Sequence, residues 1–193
     1  MALVNAMDTV IRAWIAGIIE RRKPLLALAV RQRAKFEGWL KFELAAHAER
    51  MGATDVEIEA TPGGSGFTRF RVDIAFKFNG VPYYLELKTP NSNWRLPGVL
   101  NKTRPITKNI AGIVNDAKKL TECADRGLVA FVLFPIPPKD RRWLEYLQRI
   151  SDELSISLTE NEHTTRVNIP LRYGYSSDLI VSCFEVTRST DAA

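Results

Sequence analysis

Asp73, Glu86 and Lys88 are the residues of this chain whose types and spacing can do chemistry together. Phe70, Val72, Ile74 and Phe76 alternate with Arg69, Arg71, Asp73 and Lys77, and Tyr83, Leu85 and Leu87 resume the apolar face after Asn79-Gly80. Asn-Gly between two alternating runs signals a two-residue hairpin turn. With those two residues as the loop, Phe78 faces Val81. Counting back along the strands sets Lys77 against Pro82, Asp73 against Glu86 and Arg71 against Lys88. Pro82 then falls at a non-hydrogen-bonded position, where its missing N–H removes no bond within the hairpin. Asp73 and Glu86 form a pair of the same kind, in which opposed Cα atoms approach to about 4.5 Å.

Like charges set opposite one another destabilise a strand pair and raise a carboxyl pKa, so a counter-charge is expected between these acids. A divalent cation would turn the repulsion into ligation. Oxygen-only donors suit Mg²⁺, with Mn²⁺ as a substitute. Lys88, two residues beyond Glu86 on the same face, sets a positive charge where an attacking water or a phosphate oxygen would lie. Carboxylates, a hard cation and a lysine together are equipment for phosphodiester hydrolysis. The competing reading is a solvated strand face with ion pairs worth about 0 to 1 kcal/mol. Both directly opposed pairs are like-charged, which leaves that reading only diagonal partners and favours the metal site.

A helix carrying Glu37, a strand with Arg71-Val72-Asp73, the run Glu86-Leu87-Lys88, a further helix and an apolar strand follow in that order. This order resembles the PD-(D/E)xK nuclease superfamily over residues 36 to 134, with Val72 in place of the proline of the name. The resemblance implies an α/β restriction-endonuclease-like core, a mixed central sheet flanked by helices. It implies metal held by Asp73, Glu86 and the backbone carbonyl of Leu87, and Lys88 positioning or activating the water. Glu37 is the expected additional acid from the first core helix, with Glu43 as its alternative. The implied activity is Mg²⁺-dependent endonucleolytic cleavage, with DNA as the expected substrate. The alternative is a non-catalytic nucleic-acid-binding or assembly protein that keeps the fold.

The surrounding elements have to position these groups. The chain has 193 residues, 46% of them hydrophobic and 25% charged, which suits one globular domain and excludes disordered, collagen-like and disulfide-stapled classes. Residues 1–35 read as a helical extension, 36–134 as the nuclease-like core and 135–193 as a C-terminal helix with two strands. An apolar stripe over residues 3–19 predicts an amphipathic helix and a candidate homodimer interface. A second helical stretch from Pro24 to Met51 is expected to break near Gly38. Val56, Ile58 and Ala60 predict a strand, residues 61–66 a turn, residues 106–120 a helix, and residues 128–134 a strand apolar on both faces. In the final third, Trp143, Leu144, Leu147, Ile150 and Leu154 mark a helix, and residues 165–171 and 178–186 read as strands.

The net charge of +5 hints at an anionic partner only weakly. Its placement says more, because Arg95, Lys102, Arg104 and Lys108 follow the acidic hairpin within and just after a loop at 89–105. With Arg71 they are candidate phosphate contacts, and Trp94 is a candidate base-stacking group. Cys123 and Cys183 lie far apart and are expected to be buried thiols. The longest apolar runs fall short of the ~20 residues of a membrane span. The first charge is Asp8 and no cleavage pattern follows, so a cytoplasmic location and no membrane partner are expected.

Overall fold

A strand that is apolar on both faces must be covered on both. The run at 128–134 is accordingly the middle of a six-stranded mixed sheet with helices on each side. The computed structural model describes residues 6–62, 70–102, 106–123 and 126–187. Helices α1 (Met7–Arg21), α2 (Lys23–Gln32) and α3 (Glu37–Arg50) lead into strands β1 (Thr54–Ala60), β2 (Val72–Phe78) and β3 (Val81–Lys88). Helix α4 (Ile106–Cys123) crosses to β4 (Arg126–Ile136), followed by α5 (Leu144–Leu154), α6 (Glu160–His163), β5 (Thr164–Pro170) and β6 (Ser176–Thr187). The strand order is β1-β2-β3-β4-β6-β5. Strands β3 and β4 pair in parallel through the α4 crossover, and the other pairs are antiparallel. Gly127 opens β4 because a Cβ there would meet Leu120 Cβ and Val186 Cγ2 at 2.9 Å.

Helices α1, α2 and α3 cover one face through Ile11, Ile15, Leu26, Leu40 and Leu44 against Ile74, Leu85, Ala130 and Val181. Helices α4 and α5 cover the other through Ile110, Ile113, Ala117, Leu147 and Ile150 against Val129, Phe131 and Ile180. The apolar stripe of α1 is therefore core of this chain, packed on β5 and β6, and the expectation of a dimer interface there is corrected. Its first two positions, Leu3 and Val4, lie outside the described residues, as does most of the turn expected at 61–66. Cys183 is buried, and the side chain of Cys123 lies outside the described residues. No helix among the described residues is long and apolar enough to cross a membrane.

The break between α2 and α3 falls at Arg33 rather than at Gly38, which lies inside the first turn of α3. Arg33 takes the left-handed conformation, φ 51°, and only 1% of it is exposed. Its guanidinium donates to the Leu100 carbonyl at 2.7 Å, to the Ser92 carbonyl at 2.6 Å and to the Trp94 carbonyl. A guanidinium carries five donors in a fixed fork, so one side chain staples the segment after β3 against the α2–α3 junction. Arg33→Met is expected to lower the unfolding free energy by about 3 kcal/mol, because one buried and two partly buried carbonyls lose their donor. Urea titration would show a lower midpoint with an unchanged slope.

The hairpin turns at Asn79 and Gly80, φ 51° and 78°, the two positive angles that a type I′ turn requires. The pairs from Phe78 with Val81 back to Ile74 with Leu85 keep the expected register. Beyond them the regularity stops. Ile74 and Phe76 pack under α1–α3, whereas Val72 and Phe70 pack on the α4 side, so the single apolar face expected for residues 70–76 switches sides at Asp73.

Candidate functional site

The hydrogen-bonded ladder of β2 and β3 ends at Ile74 with Leu85, one residue short of Asp73 and Glu86, whose side chains lie within reach of one another. Where the next backbone bond would form, the Leu87 N–H donates instead to Asp73 Oδ2 at 2.8 Å. An N–H and C=O of one strand residue point to the same side, so the Leu87 carbonyl faces the same opened edge. Strand β3 is held there from its other side, since its pairing with β4 continues to Lys88 with Phe131. The frayed hairpin end thus presents two carboxylates and one carbonyl on a fixed strand.

Glu86 is 5% exposed. Burial, followed by the charge of Asp73, pushes its carboxyl up to about 8, and Lys88 offsets this only in part. Lys88 Nζ lies 3.4 Å from Glu86 Oε2 and 3.1 Å from Asp116 Oδ2 on α4. Burial acts to lower the Lys88 ammonium, but Asp116 and Glu86 outweigh it and hold it above its ordinary value. Glu37, the first residue of α3, accepts from the Thr89 N–H at 3.1 Å and so fixes the end of β3. One turn later Lys41 reaches Asp73 Oδ1 at 3.2 Å and also donates to Glu59.

The structure brings Asp73, Glu86, Lys88 and Glu37 together. Glu43 pairs instead with Arg22 at 3.4 Å, which leaves Glu37 as the α3 acid at the site. Arg71 lies before the start of β2 and is exposed, so it does not face Lys88, whose partner is Asp116. Arg95 and Lys102 are exposed on the segment after β3, Lys108 is exposed on α4, and Arg104 lies outside the described residues. Trp94 is half-buried: its ring meets Tyr146 edge-on at 5.7 Å and carries the Arg142 guanidinium at 5.4 Å.

Sequence reasoning missed Lys41 and Asp116. Lys41 stands four residues after Glu37, one helical turn along the same face, and that spacing was a usable signal. Asp116 meets Lys88 only through the packing of the crossover helix, for which the sequence offers no spacing rule.

Asp73, Glu86 and the Leu87 carbonyl are all hard oxygen donors, the set that Mg²⁺ takes when water or substrate oxygens complete its octahedron. The site fits that ion as a two-carboxylate site. No group of three or more His, Cys, Asp or Glu residues is gathered as a metal cluster among the described residues. Compared with protein families, with curated proteins and with solved structures, the chain matches none.

Proposed function

We propose that this protein is a Mg²⁺-dependent endonuclease of restriction-endonuclease-like fold, acting on DNA. The observation that carries the reading is the buried Glu86 beside Asp73, with Lys88 within 3.4 Å, at a strand end where the ladder has opened. The element order α3, β1, β2, β3, α4, β4, with β3 and β4 parallel, supports the same reading.

Bound Mg²⁺ would supply Lewis acidity to a phosphoryl oxygen and lower the pKa of a coordinated water. Asp73, Glu86 and the Leu87 carbonyl are the groups that would hold it. Lys88 orients the attacking water or a non-bridging phosphate oxygen through its fixed ammonium, and Asp116 holds that ammonium in place. Glu37 anchors the strand end that carries Lys88. The exposed Arg71, Arg95, Lys102 and Lys108 take up backbone phosphates, which positions the duplex without reading its sequence.

Supercoiled plasmid is expected to be nicked by the wild-type protein in Mg²⁺ and not in EDTA. Asp73→Ala is expected to slow nicking by at least about 10²-fold, the usual cost of removing one group that stabilises developing charge. Equal nicking by wild type and variant would sink the proposal. Salt-sensitive binding without cleavage by either protein would favour the non-catalytic alternative.

A further inference from the structure

Lys41 is a second lysine at the site, and the hydrolytic reading gives it no task. Its side chain is 12% exposed, with Nζ 3.2 Å from Asp73 Oδ1 and a further hydrogen bond to Glu59. Asp73 Oδ2 is engaged by the Leu87 N–H at 2.8 Å. A cation that settles on the other oxygen of Asp73 meets Lys41 there. An ammonium and a divalent cation on one carboxylate oxygen compete directly, because each is attracted to the same charge and repelled by the other.

We propose that Lys41 is a displaceable counter-ion: its ammonium stands in the cation's place at Asp73 in the metal-free protein, and an arriving divalent cation drives it off toward the incoming phosphate. This rests on the metal-dependent reading of the site. Two features suit Lys41 to the exchange and distinguish it from Lys88. Lys88 is clamped between two acids, Glu86 and Asp116, beside the metal position. Lys41 has its second partner on β1, the Glu59 carboxylate, whose side chain is 51% exposed. On leaving Asp73 it keeps one ion pair and moves toward solvent, the side from which a phosphate backbone arrives. A lysine ammonium is a compact point charge on a flexible stem, suited to a single phosphate oxygen reached by a short swing.

Titration of Mn²⁺ into the full chain, followed by calorimetry, tests this. Lys41→Gln is expected to bind Mn²⁺ about fivefold to tenfold more tightly than wild type, since an antagonist of metal binding has been removed. Glu59→Gln, a change at an exposed side chain, is expected to weaken Mn²⁺ binding, because Lys41 then rests on Asp73 alone. With Ca²⁺ present, a short DNA duplex is expected to bind Lys41→Gln more weakly, with a log–log salt slope smaller by about one. Unchanged or weaker Mn²⁺ binding by Lys41→Gln overturns the proposal and makes Lys41 a support for Asp73. Unchanged Mn²⁺ binding by Glu59→Gln, or duplex binding by Lys41→Gln equal to wild type, overturns it as well. A wild-type protein that binds no Mn²⁺ would instead fail the hydrolytic reading itself, a separate result.

Discussion

Glu86→Gln is expected to make the metal-free protein more stable and, in the same stroke, unable to respond to Mg²⁺. The Glu86 carboxyl is pushed from its ordinary value of 4.5 up to about 8, first by burial and next by Asp73. A group whose folded pKa is raised contributes stability that is fully present below the unfolded value and is lost as pH rises through the folded one. Metal-free wild type should therefore lose stability between pH 4.5 and about 8. A tenfold change in proton affinity between the unfolded and folded chain is worth about 1.4 kcal/mol, so a loss on the order of 5 kcal/mol is the upper bound expected across that window. Glutamine keeps the shape and carries no charge, so the variant should not show this loss. Urea unfolding in EDTA at about pH 5 and about pH 9, on either side of that window, measures the difference. Mg²⁺ at the higher pH should then restore the wild type, by binding the folded state alone, and leave Glu86→Gln unchanged. Parallel pH curves for the two proteins would mean that the buried carboxyl is not strained.

That strain was partly legible beforehand. Asn79-Gly80 and Pro82 fix the hairpin register by local rules, and the paired part of it ends one residue short of Asp73 and Glu86. The apolar run 128–134 announces a central strand for the same local reason, since no half-exposed strand is apolar at every position. Non-local events were not legible. Strand β2 changes face at Asp73, whose side chain takes the Leu87 N–H that a backbone acceptor would otherwise take, and strict alternation cannot express such an exchange. The helix break at Arg33 depends on carbonyls of residues 92–100, which lie far along the chain. Asp116 reaches Lys88 only after α4 has crossed the sheet. Trp94 reads as a loop aromatic, and its contacts with Tyr146 and Arg142 come from the later chain. Two of these failures, at Asp73 and Asp116, fall at the site, where local regularity is given up to position charge.

Lys88→Met is expected to abolish nicking and to destabilise the fold, and a second substitution should separate the two effects. Lys88 Nζ is held by Asp116 at 3.1 Å and by Glu86 at 3.4 Å, and the side chains of both acids are mostly buried. Removing the ammonium leaves the Asp116 carboxylate without its counter-charge and pushes the already raised Glu86 carboxyl further up. Breaking one side of such a pair costs about 3 kcal/mol when both partners are buried, and the partial exposure of Lys88 puts the expected loss nearer 2 kcal/mol. Adding Asp116→Asn to Lys88→Met removes the stranded charge on α4, so a large part of the stability should return. Nicking should not return, because the ammonium that orients water or phosphate is still missing. Asp116→Asn alone should retain Lys88 and its contact with Glu86, and nick more slowly than wild type by about 10-fold to 10²-fold through looser placement of the ammonium. Urea unfolding and plasmid nicking on the four proteins measure both quantities in one cycle. If the double variant recovered cleavage along with stability, Lys88 would be a structural counter-charge for Asp116, and the water-orienting role would have to move to another group at the site.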